Sequence, residues 1–386
     1  MKLTAKIKLT PTESQADSLK RTLAQANLAC DYISRVAWDS KTFKQFALHH
    51  VTYLSVKELF GLSAQMAVRA IAKVADSYKL DRATCRTFKP SGGIAYDSRI
   101  LRYLPDSVSI WTVDGRLTIP FLAGDYQSSL LTHQKGESDL ILVDGQFYLC
   151  ATCEVTTQPT FDPVDVLGVD LGIVNIATDS DGQIFSGSQV NNTRHRHRRL
   201  RKKLQAKQTK SAKRRLKKLS GKEARFAQDT NHVISKRIVA KAQGTQRAIA
   251  IEQLNGIRQR VTVRKSQRAT LHSWSFFQLK SFIAYKAQRA GVPLFEVDQR
   301  NTSRTCPACG CVDKANRKSQ SSFLCIVCGF AGLADYIASV NIALRIPLGG
   351  IGRRAQVNAP NVSIPVAIVS PIWDMAAVNQ GQASGF

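Results

Sequence analysis

The 386-residue sequence is short of acidic side chains and has no long apolar run. It contains 28 Asp and Glu residues against 55 Lys and Arg residues, which gives a formal net charge of +27. A membrane helix needs about 18 consecutive apolar residues, and a signal peptide needs an apolar stretch; neither pattern occurs. So large an excess of positive charge favours an anionic partner, most commonly nucleic acid. We therefore predict a soluble, nucleic-acid-binding protein with no membrane partner.

Several catalytic motifs are absent too. The sequence has no GxGxxG or GxxxxGK[ST] phosphate loop, so an ATP-driven mechanism has no support. Neither a serine nucleophile elbow nor a Cys–His pair stands out. The nine cysteines are too unevenly spaced for a disulfide framework. One CxxC pair, Cys150 and Cys153, lies in a predicted strand, where the two side chains face opposite sides and cannot share a metal ion.

Four other cysteines have the spacing of a zinc ribbon, with two CxxC pairs separated by fifteen residues. They are Cys306, Cys309, Cys325 and Cys328. Gly310 and Gly329 follow the two pairs and permit the turn that brings the thiolates to one ion. Four thiolates complete a tetrahedral shell and leave no position for water, so the zinc would be structural. The alternative is a redox dithiol, for which a single CxxC would suffice.

The periodicity of apolar residues changes along the chain. Residues 1–9 alternate as a half-buried strand does, and residues 10–88 carry helical stripes. Thr10, Pro11 and Glu13 are expected to supply the helix N-cap, the first helical position and the capping-box glutamate. From about residue 95 the pattern becomes β, with Asp-Gly hairpin turns. Strands and helices then alternate over 161–300, which is typical of an α/β sheet domain.

Three acids stand at the ends of predicted elements. Asp170 ends one strand, Glu252 ends another, and Asp335 begins a helix. Converging carboxylates repel one another unless cations neutralise them, and two magnesium ions about 4 Å apart would hydrolyse a phosphodiester. The pattern leaves other candidates open. These are Asp165, Asp179, Asp181, Glu296 and Asp298.

The basic segment, residues 191–225, holds 16 Lys and Arg residues and a single acid, Glu223. It contains no proline and only one glycine, Gly221, so one long helix is predicted. Ten of its cations are candidate nucleic-acid contacts. They are Arg194, Arg196, Arg198, Arg199, Arg201, Lys202, Lys203, Lys213, Arg214 and Arg215. The alternative is a solvated charged helix.

Several segments together resemble the TnpB family, transposon-encoded proteins related to the type V CRISPR effector nucleases. The segments are GVDLGIVNIAT, IEQLNGIR, the stretch from LHSWSFF to RTCPACG, FLCIVCG and ADYIASVNIA. The opening KIKLTPTESQ and the middle segment YDSRILRYLPDSVSIWTVDGRLTIPF fit the same family. The resemblance thus covers nearly the whole chain, and the C-terminal tail departs from it.

The resemblance implies an α+β multidomain fold. It predicts a wedge-like β-barrel at 1–9 and 89–160, interrupted by a helical recognition domain at 10–88. A RuvC-like nuclease domain of the RNase H fold would follow at 161–300 and 330–348, with a zinc ribbon inserted at 301–329. The tail at 349–386 has no clear periodicity and is expected to be disordered.

The resemblance also implies an activity, that of an RNA-guided, metal-dependent DNA endonuclease cutting beside a short flanking motif. Its partners would be a guide RNA made from the transposon end and a double-stranded DNA target. Asp170, Glu252 and Asp335 would hold two catalytic Mg²⁺ ions, and the four cysteines one structural Zn²⁺. The expected location is the cytoplasm of a prokaryotic cell, associated with the nucleoid. Two alternatives stay open: a guide-dependent repressor without cleavage, and a guide-free transposase or resolvase on an RNase H fold.

Overall fold

The computed structural model describes residues 1–253 and 276–347, which fall into two compact units. The first unit is Met1–Thr156, and the second begins at Thr157. The tail at 349–386, and residues 254–275 of the predicted α/β sheet domain, lie outside the described residues. No helix in the described part of the chain is long and apolar enough to cross a membrane.

The first unit is built on a seven-stranded sheet in the order β2-β6-β7-β1-β5-β4-β3. The strands are β1 (Lys2–Leu9), β2 (Ile94–Tyr96), β3 (Leu101–Tyr103), β4 (Ser107–Thr112), β5 (Gly115–Leu122), β6 (Gln134–Val143) and β7 (Gln146–Glu154). The pairing within this sheet is antiparallel, and β1 lies between β5 and β7. The predicted hairpins at Asp114-Gly115 and Asp144-Gly145 are confirmed as the β4–β5 and β6–β7 turns.

The sheet curls into a nearly closed barrel. Its edge strands β2 and β3 are consecutive in the chain and are joined by residues 97–100 alone. The Tyr103 hydroxyl on β3 donates a hydrogen bond to Ser138 Oγ on β6, at 2.9 Å. Because four residues cannot cross a flat seven-stranded sheet, the two edges must approach each other. The expected barrel is therefore confirmed in the form of a near-barrel.

Three helices lie between β1 and β2. They are α1 (Glu13–Asp39), α2 (Gln45–Phe60) and α3 (Ala64–Leu80), and a short α4 (Asp125–Leu131) follows β5. Apolar side chains of α1 and α3, such as Leu23 and Ile71, share one core with Ile7 and Leu149 of the sheet. Helices and sheet thus bury a common apolar surface, and the division into wedge and recognition domains stays a prediction.

The predicted start of α1 was wrong by two residues. Thr12, and not Thr10, is the N-cap: its hydroxyl accepts a hydrogen bond from the Gln15 N–H, and the Gln15 side chain accepts one from the Thr12 N–H. Thr10 instead extends the sheet, because its N–H donates to the Pro120 carbonyl at 2.8 Å. Both threonines have a Glu or Gln three residues later, so the pattern alone fits either start.

The second unit contains a five-stranded sheet in the order β10-β9-β8-β11-β12. The strands are β8 (Asp165–Asp170), β9 (Asn175–Asp179), β10 (Ile184–Ser186), β11 (Arg247–Glu252) and β12 (Leu294–Val297). β8, β11 and β12 run parallel, and β9 and β10 antiparallel to their neighbours. The predicted α/β sheet is confirmed in this form.

Helices cover both faces of this sheet, as the parallel strands require. They are α5 (Ser188–Lys207), α6 (Lys210–Gly244), α7 (Phe276–Ala290) and α8 (Ala334–Leu344). Leu167 and Ile249 belong to the core shared with α6 and α7. Val166 and Ala248, one residue earlier on each strand, pack instead with Ile342 of α8. The period of two along each strand thus sends alternate side chains to opposite layers.

The basic segment forms two helices, so the prediction of one long helix was wrong. α5 ends at Lys207, and the residue that follows it, Gln208, has a left-handed φ of 50°. The Thr209 hydroxyl then caps α6 by accepting a hydrogen bond from the Ala212 N–H at 3.1 Å. A capping threonine favours a new helix start over continuation. Gly221 lies inside α6 and does not interrupt it.

Helix α8 packs on β8 at a glycine. A Cβ atom added to Gly168 would lie 2.0 Å from the Ser339 carbonyl oxygen and 2.7 Å from the Ala343 nitrogen. Any side chain at this position would therefore push the helix backbone away from the sheet.

We predict that Gly168→Ala destabilises the second unit by about 3 kcal/mol or more, because it overpacks a contact with backbone atoms. Hydrogen–deuterium exchange of β8 and α8 across a urea series would measure this loss. The matched control is Gly244→Ala, where an added Cβ meets nothing within 4 Å and stability should hold or rise slightly. Equal exchange in the Gly168 variant and the control would contradict the packing argument.

Candidate active site

Two of the predicted acids end neighbouring parallel strands. Asp170 is the last residue of β8 and Glu252 is the last residue of β11. Val169 pairs with Ile251 in the register, so the two acids follow at equivalent positions. Asp170 lies four residues after Val166 on β8, and Glu252 lies four residues after Ala248 on β11. Because alternate residues of a strand share a face, both acids lie on the face that packs against α8. The carboxyl edge of the sheet therefore presents both acids to the layer that α8 occupies.

The third acid, Asp335, is the second residue of α8, and its helix packs against β8, β9 and β11. The Asn175 amide, at the start of β9, donates a hydrogen bond to Asp335 Oδ2 at 2.9 Å. A carboxylate in the first turn of a helix is stabilised by the helix dipole. α8 thereby brings Asp335 to the edge where Asp170 and Glu252 end, and we call these three residues the acidic cluster.

The charges of the other two acids act on Asp170. Burial is the largest cause that raises the pKa of Asp170 well above its usual value, and the negative charges of Glu252 and Asp335 raise it further. Burial also raises the pKa of Glu252, against the hydrogen bond that Thr302 donates to it. Buried acids that disfavour each other's ionisation bind either protons or cations. The acidic cluster could therefore take up a proton or a cation at Asp170.

The structure adds three polar neighbours that sequence reasoning missed. Arg317 of the ribbon lies 3.7 Å from Asp335 Oδ1, and its charge lowers the pKa of Asp170 and of Glu252 against the effect of burial. The Thr302 hydroxyl donates to Glu252 Oε1 at 2.5 Å. Asn175, described above, is the third. Each lies far along the chain from its acid, so no local pattern could have indicated the contact.

Two of the competing acids, Asp179 and Asp181, form ion pairs with basic residues outside the acidic cluster. Lys241 Nζ lies 2.6 Å from Asp179 and 2.8 Å from Asp181, and Arg247 holds Asp181 through both guanidinium nitrogens. These charges lower the pKa of Asp181, with the hydrogen bond from Arg247 as the largest cause. Such pairs tie α6 to the β9–β10 turn and account for these acids structurally.

The other three competitors are likewise placed away from the acidic cluster or paired. Glu296 lies 2.6 Å from Lys280 Nζ. Asp298 is exposed beside Arg300, and its negative charge contributes to the raised pKa of Glu252, so it lies near the acidic cluster. Asp165 is exposed and opens β8, so it lies at the opposite edge of the sheet from Asp170.

The four ribbon cysteines lie together as predicted, with their sulfur atoms within 4.8 Å of one another. Sγ of Cys306 is 3.6 Å from Sγ of Cys328, and Sγ of Cys309 is 3.5 Å from Sγ of Cys325. A zinc ion with Zn–S bonds of about 2.3 Å separates tetrahedral sulfurs by about 3.8 Å, so the cluster could hold one. Gly310 and Gly329 have φ values of 73° and 71°, which confirms the predicted turns.

The pair Cys150 and Cys153 lies on β7, as predicted. Cys153 is fully buried, whereas Cys150 is half-buried, because residues three apart on a strand face opposite sides. Burial raises the pKa of both thiols. Cys153 therefore packs inside the near-barrel and Cys150 lies at its surface, so the two thiols do not bind one metal ion together.

Most of the ten predicted cations are exposed on α5 and α6. The exposed residues are Arg196, Arg198, Arg199, Lys202, Lys203, Lys213, Arg214 and Arg215. Arg194 and Arg201 differ, because they are half-buried and near Glu223; Arg201 donates to Glu223 Oε2 at 2.8 Å. Glu223, the single acid of the basic segment, thus links α6 to α5 and neutralises part of the positive charge of two of the ten cations.

Two family models match parts of the chain. Residues 149–256 match a family described as a probable transposase (OrfB_IS605), and residues 276–342 match the Cas12f1-like TNB domain. The first stretch contains Asp170 and Glu252, and the second contains the four cysteines and Asp335.

Among the curated proteins that are similar in sequence are a TnpB-like protein and a Cas12f1 nuclease. The TnpB-like protein MJ0751 of Methanocaldococcus jannaschii is 26% identical over 260 residues, which is 63% of this chain and 92% of that protein. The CRISPR-associated endodeoxyribonuclease Cas12f1 of Sulfoacidibacillus thermotolerans is 37% identical over 128 residues, 33% of this chain and 29% of that protein. The resemblance to the TnpB family is confirmed.

A solved structure supports the same fold. A cryo-EM structure of a Cas12f1–sgRNA–target DNA complex aligns with 84% of this chain and 82% of its own, with a TM-score of 0.58 and 14% identity. At this identity the likeness concerns fold alone. The chain therefore shares its fold with this Cas12f1 protein over most of both chains.

We predict that the purified protein contains one zinc ion, which Cys306→Ser or Cys325→Ser removes, because a structural site needs all four thiolates. Elemental analysis by mass spectrometry would give the zinc-to-protein ratio. Cys150→Ser, in the CxxC pair that lies on a strand, is the control and should retain zinc. Loss of zinc from the control alone, or no zinc in the parent protein, would contradict the prediction.

Proposed function

We propose that the protein is an RNA-guided, divalent-metal-dependent DNA endonuclease of a transposon. The observation that carries the proposal is the acidic cluster, in which two strands and one helix present three carboxylates, and the negative charges of Glu252 and Asp335 raise the pKa of Asp170. The Cas12f1 relative is named as an endodeoxyribonuclease, and its match to this chain covers only part of both proteins.

The second unit would be a RuvC-like domain of the RNase H fold. Its mixed sheet places β8 and β11 side by side, and α8 returns to cover the same edge. The four cysteines lie between β12 and α8 in the chain, which supports an inserted ribbon. Residues 161–300 and 330–348 would make up this domain, and residues 301–329 the ribbon.

Asp170, Glu252 and Asp335 would hold two Mg²⁺ ions, for which carboxylate oxygens are suitable ligands. When bound, such ions activate water and stabilise the leaving oxygen of a phosphodiester. The side chains of this chain would fix the carboxylates in place: Asn175 orients Asp335, and Thr302 orients Glu252. The Arg317 guanidinium would bind the phosphate group, since it stands beside Asp335 and offers planar N–H donors.

The exposed cations of α5 and α6 would bind a guide RNA or its duplex with target DNA. Eight of them project to solvent within one segment, which favours contact with a phosphate backbone. Base pairing between the guide RNA and double-stranded target DNA would then select the sequence. The guide would derive from the transposon end, and the complex would work at the nucleoid of a prokaryotic cell.

We predict that Asp170→Ala, Glu252→Ala and Asp335→Ala each abolish DNA cleavage while target binding is retained, because each removes a metal ligand and none removes a backbone contact. Cleavage of a labelled duplex by the protein with its guide RNA and Mg²⁺ would be measured beside filter binding. Asp165→Ala, on the same strand as Asp170 but at its exposed other end, is the control.

Three results would overturn parts of this proposal. Full cleavage in the Asp170 and Glu252 variants would remove the acidic cluster from the reaction. Strand joining of transposon ends without RNA would favour the transposase alternative, to which the matched family description also points. Guide-dependent binding without cleavage by the parent protein would identify a repressor.

We predict that replacing Arg198, Arg199, Lys202 and Lys203 with Gln weakens RNA binding and lowers its dependence on salt. Each lost phosphate contact to a single strand reduces the slope of log affinity against log salt by about 0.7, so four reduce it by about 3. Fluorescence anisotropy over a salt series would give the slope.

The control for this experiment replaces four exposed lysines that already pair with acids. They are Lys2, Lys20, Lys79 and Lys135. The change in net charge is the same in both variants, so equal slopes would show that the basic segment acts only through total charge. That result would contradict a role for α5 in RNA binding.

A further inference from the structure

Glu252 is the most deeply buried member of the acidic cluster. Its side chain is only 8% exposed, and it ends a strand with no helix terminus of its own. In the described part of the chain its hydrogen-bond partner is Thr302, whose hydroxyl donates to Oε1. The Thr302 side chain is buried, at 3% exposure, and lies just beyond β12, the strand parallel to β11.

The hydroxyl of Thr302 has one proton and two acceptors within reach. Glu252 Oε1 lies at 2.5 Å and the Gln299 carbonyl oxygen at 3.1 Å. A charged acceptor at the shorter distance makes the stronger hydrogen bond, so the proton points to the carboxylate. A carboxylate held through Oε1 has its rotation fixed, and its other oxygen, Oε2, then points in one direction.

The backbone of Thr302 is itself held by α8. The Asn341 amide nitrogen donates to the Thr302 carbonyl at 2.8 Å and to the Thr305 carbonyl at 2.7 Å, which uses both of its protons. Asn341 is buried at 5% exposure, and it lies on the helix that carries Asp335. The segment between these two carbonyls leads directly into Cys306, the first ribbon cysteine.

We propose that Thr302 is a positioning residue that sets the orientation of Glu252 for a divalent cation, and that Asn341 ties this orientation to α8 and to the first ribbon cysteine. The inference rests on the proposed function, because it assigns a task to the acidic cluster. One helix thereby places Asp335 directly and Glu252 indirectly. An error in the position of α8 would displace both ligands together.

We predict that Thr302→Val, which keeps the side-chain shape and removes the donor, raises the Mg²⁺ concentration for half-maximal cleavage about 10- to 100-fold, as loss of such outer partners does. Target binding should be unchanged, and Thr302→Ser, which keeps the hydroxyl, should restore the parent value. Thr305→Val is the matched control, since its hydroxyl donates to the Asn301 carbonyl and not to an acid. Zinc content and thermal unfolding would establish that the variants fold.

A second readout separates this inference from the proposed function. Mn²⁺ binding to the free protein, measured by electron paramagnetic resonance, should weaken by a similar factor in Thr302→Val and not in Thr305→Val. If this holds while the parent protein cleaves no DNA, the positioning role stands and the nuclease proposal fails. If the parent protein cleaves and Thr302→Val matches it in metal dependence and Mn²⁺ affinity, the positioning role is wrong and the nuclease proposal stands.

Discussion

The contact between Gly168 and the backbone of α8 is the constraint on which the second unit depends. Without a side chain at Gly168, the helix lies close enough to the sheet to bring its first turn to the strand ends. Asp335 and Asn341 are both placed by this approach. The carboxylates and the loop that follows β12 are therefore organised by one close contact between backbones.

The role proposed for the acidic cluster would oppose the stability of the folded chain. Because the pKa of Asp170 is raised in the folded chain, its neutral form is the one that folding favours in the absence of cations. This contribution to stability is present at low pH and is lost as the pH rises through the raised pKa. A bound cation would reverse the balance by favouring the ionised form. Arg317 offsets part of the repulsion, and it does so from the ribbon, a different segment of the same unit.

Local patterns predicted the parts of the molecule that local forces determine. Alternation identified β1, Asp-Gly pairs marked the hairpins, and cysteine spacing identified the cluster of four thiols. The acids at the ends of β8 and β11 were also predictable, because the end of an apolar run is visible in the sequence. Their common role in metal binding stays a prediction.

The features that the sequence did not predict depend on contacts between distant segments or lack a strong local signal. Thr10 and Thr12 carry the same capping pattern, and only the pairing of Thr10 with Pro120 decides between them. The helix break at Gln208 has no glycine or proline to mark it. The path of the chain after β12 brings Thr302 and Arg317 to their acids. A pattern of apolar residues along the sequence does not predict such a path.

The central position of β1 in the near-barrel has a consequence for the order of folding. β1 pairs with β7 along its whole length, from Lys2 opposite Glu154 to Lys8 opposite Tyr148. During synthesis, the strand must therefore wait for about 150 residues before its partner leaves the ribosome, and closing so long a loop is entropically costly. Helices α1 to α3 can form first because their contacts are local. We expect the barrel to close late, with its exposed strand protected until then by alternating lysines that discourage aggregation.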